Sequence, residues 1–223
     1  MIFNDRQYAG EVLAKKLLKF KFDLKKSIVA AIPRGGIVVG VRIANLLKLP
    51  LFPLVIKKLG ALGNLELAIG ATASFGKPVL DRWLIAELKI SGDYLKKETA
   101  SRKKEALARE KFLGVDISKI NVSGKVVIVV DDGIATGQTV KIAGKILRQL
   151  GAEKLILAVP CAPPSALEAV KAEYDEIICP EVSEDFMAVG QFYRDFRPVE
   201  DSEVKKILLK QLTLRQAQGK QLQ

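Results

Sequence analysis

The chain has 223 residues, 49% of them apolar, with 36 Lys and Arg against 25 Asp and Glu, two cysteines and no histidine. That length and apolar share suit one large domain with a full core and argue against long internal disorder. The missing histidine removes Ser-His-Asp and Cys-His nucleophilic mechanisms and every histidine metal site. The net charge of +11 favours phosphate-bearing partners without separating nucleic acid from a small phosphorylated substrate. No stretch approaches the roughly 18 uninterrupted apolar residues of a membrane span. The opening MIFNDRQYAGEV has no basic leader ahead of an apolar run, so a cytoplasmic protein is expected. Cys161 and Cys179 lie far apart and outside any CxxC pair, and read as reduced packing residues.

Taken in chain order, Asp5 caps a first helix through about Leu18, with Tyr8, Val12, Leu13 and Leu17 as its apolar face. Ser27–Ile32 (SIVAAI) is a buried strand running into the tight loop Pro33-Arg34-Gly35-Gly36. A helix follows over Ile37–Leu47, then a second strand over Leu51–Lys57. Leu67–Thr72 and Pro78–Leu80 form shorter strands around a turn at Gly76. Asp93–Phe112 contains no Gly or Pro and few large apolar residues. It reads as a long, mostly exposed helix within an insertion of about 91–113. The alternation resumes with strand Val126–Val130, helix Thr139–Leu150 stopped at Gly151, strand Lys154–Val159, a helix opened by a Ser165…Glu168 capping box, and strand Glu176–Cys179. A last helix starts at Asp201 or Ser202 and ends near Lys210, and the polar, Gln-rich 211–223 is expected to fray. Strands alternating with helices imply an α/β fold, a parallel, doubly wound sheet in one domain over 1–210.

Ligands of such sheets bind beyond the carboxyl ends of the strands, where the two most unusual loops stand. In KVVIVVDDGIATGQT (Lys125–Thr139), Gly133 and Gly137 let the chain turn, and Thr136 and Thr139 offer hydroxyls. The loop empties into a helix N-terminus, a ready anion site. Asp131 and Asp132 would repel a phosphate and need donors or a cation, which vicinal sugar hydroxyls or Mg²⁺ supply. Sugar hydroxyls beside a phosphate describe a ribose 5-phosphate. The plainer alternative is a strand end with solvated acids and a helix cap, and the attached loop makes it the weaker reading. Neither loop carries the Walker A or the GxGxxG pattern.

On these residues, Val126–Thr139 resembles the phosphoribosyl pyrophosphate (PRPP) signature of the type I phosphoribosyltransferases: apolar strand, two acids, two variable residues, a short Thr-Gly loop. The order of elements is similar over most of 25–180. The resemblance implies that Asp131 and Asp132 bind the ribose 2- and 3-hydroxyls, and that Ala135, Thr136, Gly137, Gln138 and Thr139 wrap the 5-phosphate. It implies a pyrophosphate loop at Arg34, Gly35 and Gly36, with a non-proline cis peptide near Arg34–Gly35. Lys57 and Lys58 match a basic pair that contacts pyrophosphate. Leu59–Ala71 matches a mobile catalytic loop, with Gly60 and Gly63 as its flexible points and Glu66 its only acid. The implied reaction displaces pyrophosphate from C1 of PRPP by a nitrogenous base through an oxocarbenium-like transition state. Arg34, Lys57, the loop amides and Mg²⁺, held by Asp131 and Asp132 through substrate or water, would stabilise the leaving group.

The blocks AIPRGG, KKLGALGNLELAIGA and VVDDGIATG are most similar to bacterial phosphoribosyltransferases of unassigned acceptor. Ala135 stands where 6-oxopurine enzymes commonly place an acid, which argues against hypoxanthine and guanine and resembles the adenine enzymes. A variable hood, from the N-terminal helix and about 180–200, would choose the base. There Phe186, Phe192, Tyr193 and Phe196 either stack on it or close the core, and Asp195 could bond its edge. A homodimer is expected, with neither membrane nor nucleic acid as partner. Two other readings stay open. One is a PRPP or nucleotide sensor without turnover. The other is RNA binding through the 93–112 helix, whose mixed signs (Lys96, Lys97, Arg102, Lys103 and Lys104 against Glu98, Glu105 and Glu110) better fit a solvated or oligomer-facing surface.

Overall fold

Ser27–Ala31 (β1) and Val126–Val130 (β6) are buried at every position, a pattern that suits only the middle of a sheet covered on both faces. The computed structural model describes residues 1–116 and 120–220. In it, five parallel strands run in the order Leu51–Pro53 (β2), β1, β6, Lys154–Ala158 (β7) and Glu176–Ile178 (β9). Because side chains alternate along a strand, Ile28, Ala30, Val127, Val129, Leu155 and Leu157 face one core. Val29, Ala31, Ile128, Val130, Ile156 and Ala158 face the other. The first face is covered by Gln138–Gln149 (α5) and Pro164–Val170 (α6). The second is covered by Arg6–Leu17 (α1), Gly35–Leu47 (α2) and Asp201–Lys220 (α7). Each fully buried aliphatic side chain contributes about 1.5–3 kcal/mol, so both faces stabilise the sheet. The fold is mixed α/β with a central parallel, doubly wound sheet.

Several elements differ from the sequence-based expectation. The second strand stops at Pro53, which cannot donate to a ladder and sits on the sheet edge. Leu59–Ala71, expected as a mobile loop, is an antiparallel hairpin of Lys57–Ala61 (β3) and Asn64–Thr72 (β4), extended by Val79–Leu80 (β5). No capping box opens α6: its N-cap is Pro163, with Pro164 in the first turn and no side-chain cap. Proline there presets φ and gives up an N–H that the helix leaves unbonded anyway. The last helix runs on past Lys210 to Lys220, and residues 221–223 lie outside the described ones. A short pair, Cys161–Ala162 (β8) and Glu181–Val182 (β10), completes the strands. No helix among the described residues is long and apolar enough to cross a membrane.

The insertion folds as Arg82–Glu87 (α3), capped by Asp81, and Gly92–Phe112 (α4), capped by Ser91. Much of α4 is exposed as expected, but Glu98, Ala106 and Glu110 turn inward. The helix packs on the hairpin around a small core of Leu59, Ala61 and Ile69, joined by Leu84, Ile85 and Leu95. It grips Gly60 at both backbone polar groups: Tyr94 Oη donates to the Gly60 carbonyl at 2.9 Å, and the Gly60 N–H donates to Glu98 Oε1 at 3.3 Å. Arg102 then donates to Glu98 and Glu105.

Glu110 is fully buried, and neither carboxyl oxygen has a hydrogen-bond partner of normal geometry among the described residues. Burial pushes its carboxyl from the ordinary 4.5 up to about 7, against a weaker opposing pull from Ser74. Between those values the folded chain keeps a proton that the unfolded chain has released, so stability falls as pH rises. Glu110→Gln is therefore expected to stabilise the fold at pH 8 by about 1–3 kcal/mol and to flatten the decline between pH 5 and 8. Thermal melts across that range check it; a melting temperature that drops at pH 8 with an unchanged slope refutes it.

Candidate active site

β1 and β6 are neighbours, and the sheet order runs in opposite senses from them: β1 leads to β2, β6 to β7. This is the topological switch point, where adjacent loops diverge and leave a crevice. Ala31 lies opposite Val130, and the Ile32 N–H donates to the Val130 carbonyl at 2.9 Å. The loops that follow, Pro33–Gly36 and 131–137, therefore emerge side by side. Their contact leaves no room for side chains. A Cβ on Gly35 would lie 1.8 Å from Asp132 Oδ2, and one on Gly36 would lie 2.9 Å from Asp131 Cα and 3.0 Å from its Oδ1. Glycine at position 35 is thus demanded by Asp132, and at position 36 by the Val130 carbonyl, 2.8 Å from such a Cβ, together with Asp131. A cis peptide joins Pro33 to Arg34, one bond before the expected Arg34–Gly35.

The acids are held closely. The Asp132 N–H donates to Asp131 Oδ1 at 2.9 Å. Tyr193 Oη donates to the Asp132 carbonyl at 2.6 Å. Arg6 Nε donates to Asp132 Oδ2 at 2.7 Å, and Arg6 Nη1 to the Arg197 carbonyl at 2.9 Å. The same guanidinium lies 3.9 Å from the centre of the Phe196 ring. Burial, and then the charge of Asp132, push the Asp131 carboxyl well above the usual carboxylate range, with Arg6 pulling the other way.

The 133–139 segment is anchored from below and open above. Ile134 is buried, and its N–H donates to the Cys161 carbonyl at 3.0 Å. Gly137 has φ +74° and packs where a Cβ would meet Val170 at 2.6 Å, a backbone conformation other residues seldom adopt. Ala135, Thr136, Gln138 and Thr139 are exposed. α5 starts at Gln138, and its N-cap Gly137 supplies no side-chain hydrogen bond, so the helix start can receive an anion from solvent.

Other expected site residues lie elsewhere. Arg34 is half-exposed and pairs with Glu200 at 3.8 Å. Lys57 pairs with Glu105 of α4 at 3.5 Å. Lys58 is exposed and makes no ion pair among the described residues. The aromatics expected to stack on a base are occupied with one another. Phe192 and Tyr193 are buried with Phe3 and Cys161, and the Phe186–Phe192 and Tyr193–Phe196 ring pairs are 5.0 Å apart. Asp195 pairs with Arg197 at 3.6 Å. Both cysteines are free thiols; burial pushes Cys179 up to about 12 and raises Cys161 as well, which suits packing and not nucleophilic chemistry.

Arg6 and Tyr193 Oη are contacts to Asp132 that sequence reasoning misses. Among the described residues no three His, Cys, Asp or Glu cluster around a possible metal site. Two carboxylates, one already engaged by arginine, suit a Mg²⁺ ion that keeps water and phosphate ligands better than a resident ion caged by protein alone.

Residues 6–197 match the family model for the phosphoribosyl transferase domain. Two Mycobacterium tuberculosis proteins, from strains CDC 1551 / Oshkosh and ATCC 25618 / H37Rv, are provisionally named phosphoribosyl transferases. Each is 35% identical over 209 residues, which cover 93% of this chain and 46% of theirs. The chain thus spans about half the length of the curated relatives it matches. The crystal structure of TT1426 from Thermus thermophilus is 36% identical, with a TM-score of 0.80, and the likeness covers 94% of this chain and 99% of that one.

Proposed function

Since the chain belongs to the phosphoribosyl transferase domain family, we propose that it moves the ribose 5-phosphate of PRPP to a nitrogenous base and releases pyrophosphate. The observation that carries this reading is the juxtaposition of a close-held acid pair and an exposed helix-start loop at the switch point of the sheet. The acids suit the ribose hydroxyls, and the loop suits the 5-phosphate. In the transfer, the C1–O bond to pyrophosphate breaks, its electron pair leaves with the pyrophosphate, and a nitrogen lone pair forms the new bond to C1. Neither a histidine nor a protein nucleophile is required. Asp131 and Asp132 hold the sugar, residues 135–139 hold the phosphate, and the Arg34–Gly36 backbone borders the leaving group.

Arg34 and Lys57 would serve the pyrophosphate by leaving Glu200 and Glu105. Partly exposed pairs of this kind are worth only about 0–1 kcal/mol, so a diphosphate can displace them. Asp131 and Asp132 would hold Mg²⁺ through substrate or water, and it would supply charge neutralisation of the leaving group. The rings of Phe186, Phe192, Tyr193 and Phe196 pack on one another or under Arg6, and Ala135 supplies no acid, so base choice stays open within this proposal. Of the five cations behind the RNA-binding reading, Arg102 pairs with Glu98 and Glu105 and Lys103 Nζ donates to the Gly76 carbonyl at 2.6 Å, whereas Lys96, Lys97 and Lys104 are exposed.

Incubation with PRPP, Mg²⁺ and a panel of bases, followed by pyrophosphate release, tests the proposal. Release dependent on one base is the expected outcome. PRPP binding without release under any base would identify a sensor instead. A chain whose melting temperature does not move with PRPP, where a ligand at 100 times its Kd adds about 2.7 kcal/mol, has no such site. A homodimer is part of the proposal, and light scattering that returns a monomer removes it.

A further inference from the structure

Arg6 lies outside every motif that carries the phosphoribosyl reading, yet it touches the acid pair. It is 8% exposed. A guanidinium is buried at a net cost unless its charge and its N–H groups are met. Here both are met, by Asp132 Oδ2 at 2.7 Å, the Arg197 carbonyl at 2.9 Å and the face of Phe196 at 3.9 Å. The partner is the same Asp132 whose carbonyl receives Tyr193 Oη and whose Oδ2 excludes any side chain at position 35. So α1, the 193–197 turn and the start of α2 all converge on one residue, with Arg6 and Gly35 against its carboxylate and Tyr193 on its backbone carbonyl. Its Oδ2 is taken by Arg6, and apart from its neighbour Asp131 no side chain among the described residues donates to the rest of that carboxyl.

We infer that Arg6 is a positioning residue for Asp132: it fixes one carboxylate oxygen, leaves the other for a ribose hydroxyl, and reduces the negative charge that the acid pair turns toward a phosphorylated sugar. The inference rests on the phosphoribosyl reading above. Without Arg6 the Asp132 carboxylate is free to rotate, and two close acids face the phosphates uncompensated. Ligand affinity then falls although Arg6 itself contacts no ligand.

The test is a double-mutant cycle on PRPP affinity in the presence of Mg²⁺, read by titration calorimetry with Arg6→Gln, Asp132→Asn and both together. A charge-assisted hydrogen bond sets the scale, so Arg6→Gln should weaken PRPP binding about 10-fold or more in the native background. In the Asp132→Asn background the same change should cost less than about 2-fold, because the carboxylate it orients is gone. Equal losses in both backgrounds mean that Arg6 acts independently of Asp132 and overturn the inference. Should Arg6→Gln fail to fold, the cycle is run with Arg6→Lys, which keeps the charge but cannot reproduce the fork to Asp132 and Arg197; the same comparison decides it. A native chain that binds PRPP while both Arg6 variants bind it equally well refutes the positioning role alone. A native chain that does not bind PRPP refutes the phosphoribosyl reading, and the inference with it.

Discussion

Replacing both acids, Asp131→Asn with Asp132→Asn, is expected to abolish the thermal protection that PRPP gives while the chain still folds. Each carboxylate that accepts from a sugar hydroxyl provides a charge-assisted hydrogen bond worth about 1.5–3 kcal/mol. Losing two lowers affinity by a factor on the order of 10²–10⁴. The single variants should differ in their ligand-free stability. Burial and the Asp132 charge raise the Asp131 carboxyl, so its ionised form burdens the fold as pH rises, and Asp131→Asn should leave the melting temperature equal or higher as pH rises. Asp132→Asn strips the counter-ion from the buried Arg6 and should lower it. Scanning calorimetry with and without PRPP separates the effects. A double variant that PRPP still protects fully would end the assignment of the sugar to these two residues.

Gly35→Ala is expected to be as damaging as loss of an acid, although it removes no polar group. The added methyl would stand 1.8 Å from Asp132 Oδ2, 2.4 Å from its Cγ and 2.8 Å from Arg6 Nε. None of these can withdraw cheaply, since the ion pair is itself braced by Arg197 and Phe196. Overpacking of this sort costs about 1–3 kcal/mol, and relief requires Asp132 to leave its place. The melting temperature should drop, and PRPP affinity should fall at least about 10-fold, the equivalent of about 1.4 kcal/mol. Gly92→Ala is the matched control. A Cβ there meets nothing within 4 Å, the position opens α4, and alanine is the better helix former, so stability should hold or rise. Native-like PRPP affinity in Gly35→Ala would show that the contact between the two loops is irrelevant to binding.

The sequence displayed these features unevenly. The strand-helix alternation and the VVDDGIATG block were legible because they are local: five apolar residues, a sharp stop, then turn formers at a helix start. From these alone the doubly wound α/β sheet follows, and the fold agrees. The hairpin at 57–72 was harder. Leu59 and Ile69 are the only large apolar side chains buried in its strands, beside Ala61 and Ala71, and a glycine-rich run with that little apolar weight reads as a loop until a partner surface such as α4 covers it. Pro163-Pro164 overrode the Ser165 cap because a proline already suits the first helical turn. The aromatics of 186–196 were ambiguous for a different reason. A ring that packs on Phe3 and a ring that would pack on a base have the same composition, and only tertiary neighbours separate them. Arg6 and Asp132 are 126 residues apart, beyond any local pattern, and neither charge announces its partner.

The grip of α4 on Gly60 has a dynamic consequence. With its amide and its carbonyl both claimed by side chains of a 21-residue helix, the hairpin cannot fray strand by strand from its tip through that point. Hydrogen exchange at the Gly60 amide should therefore proceed through a cooperative opening shared with α4, at a common rate and with a common response to denaturant.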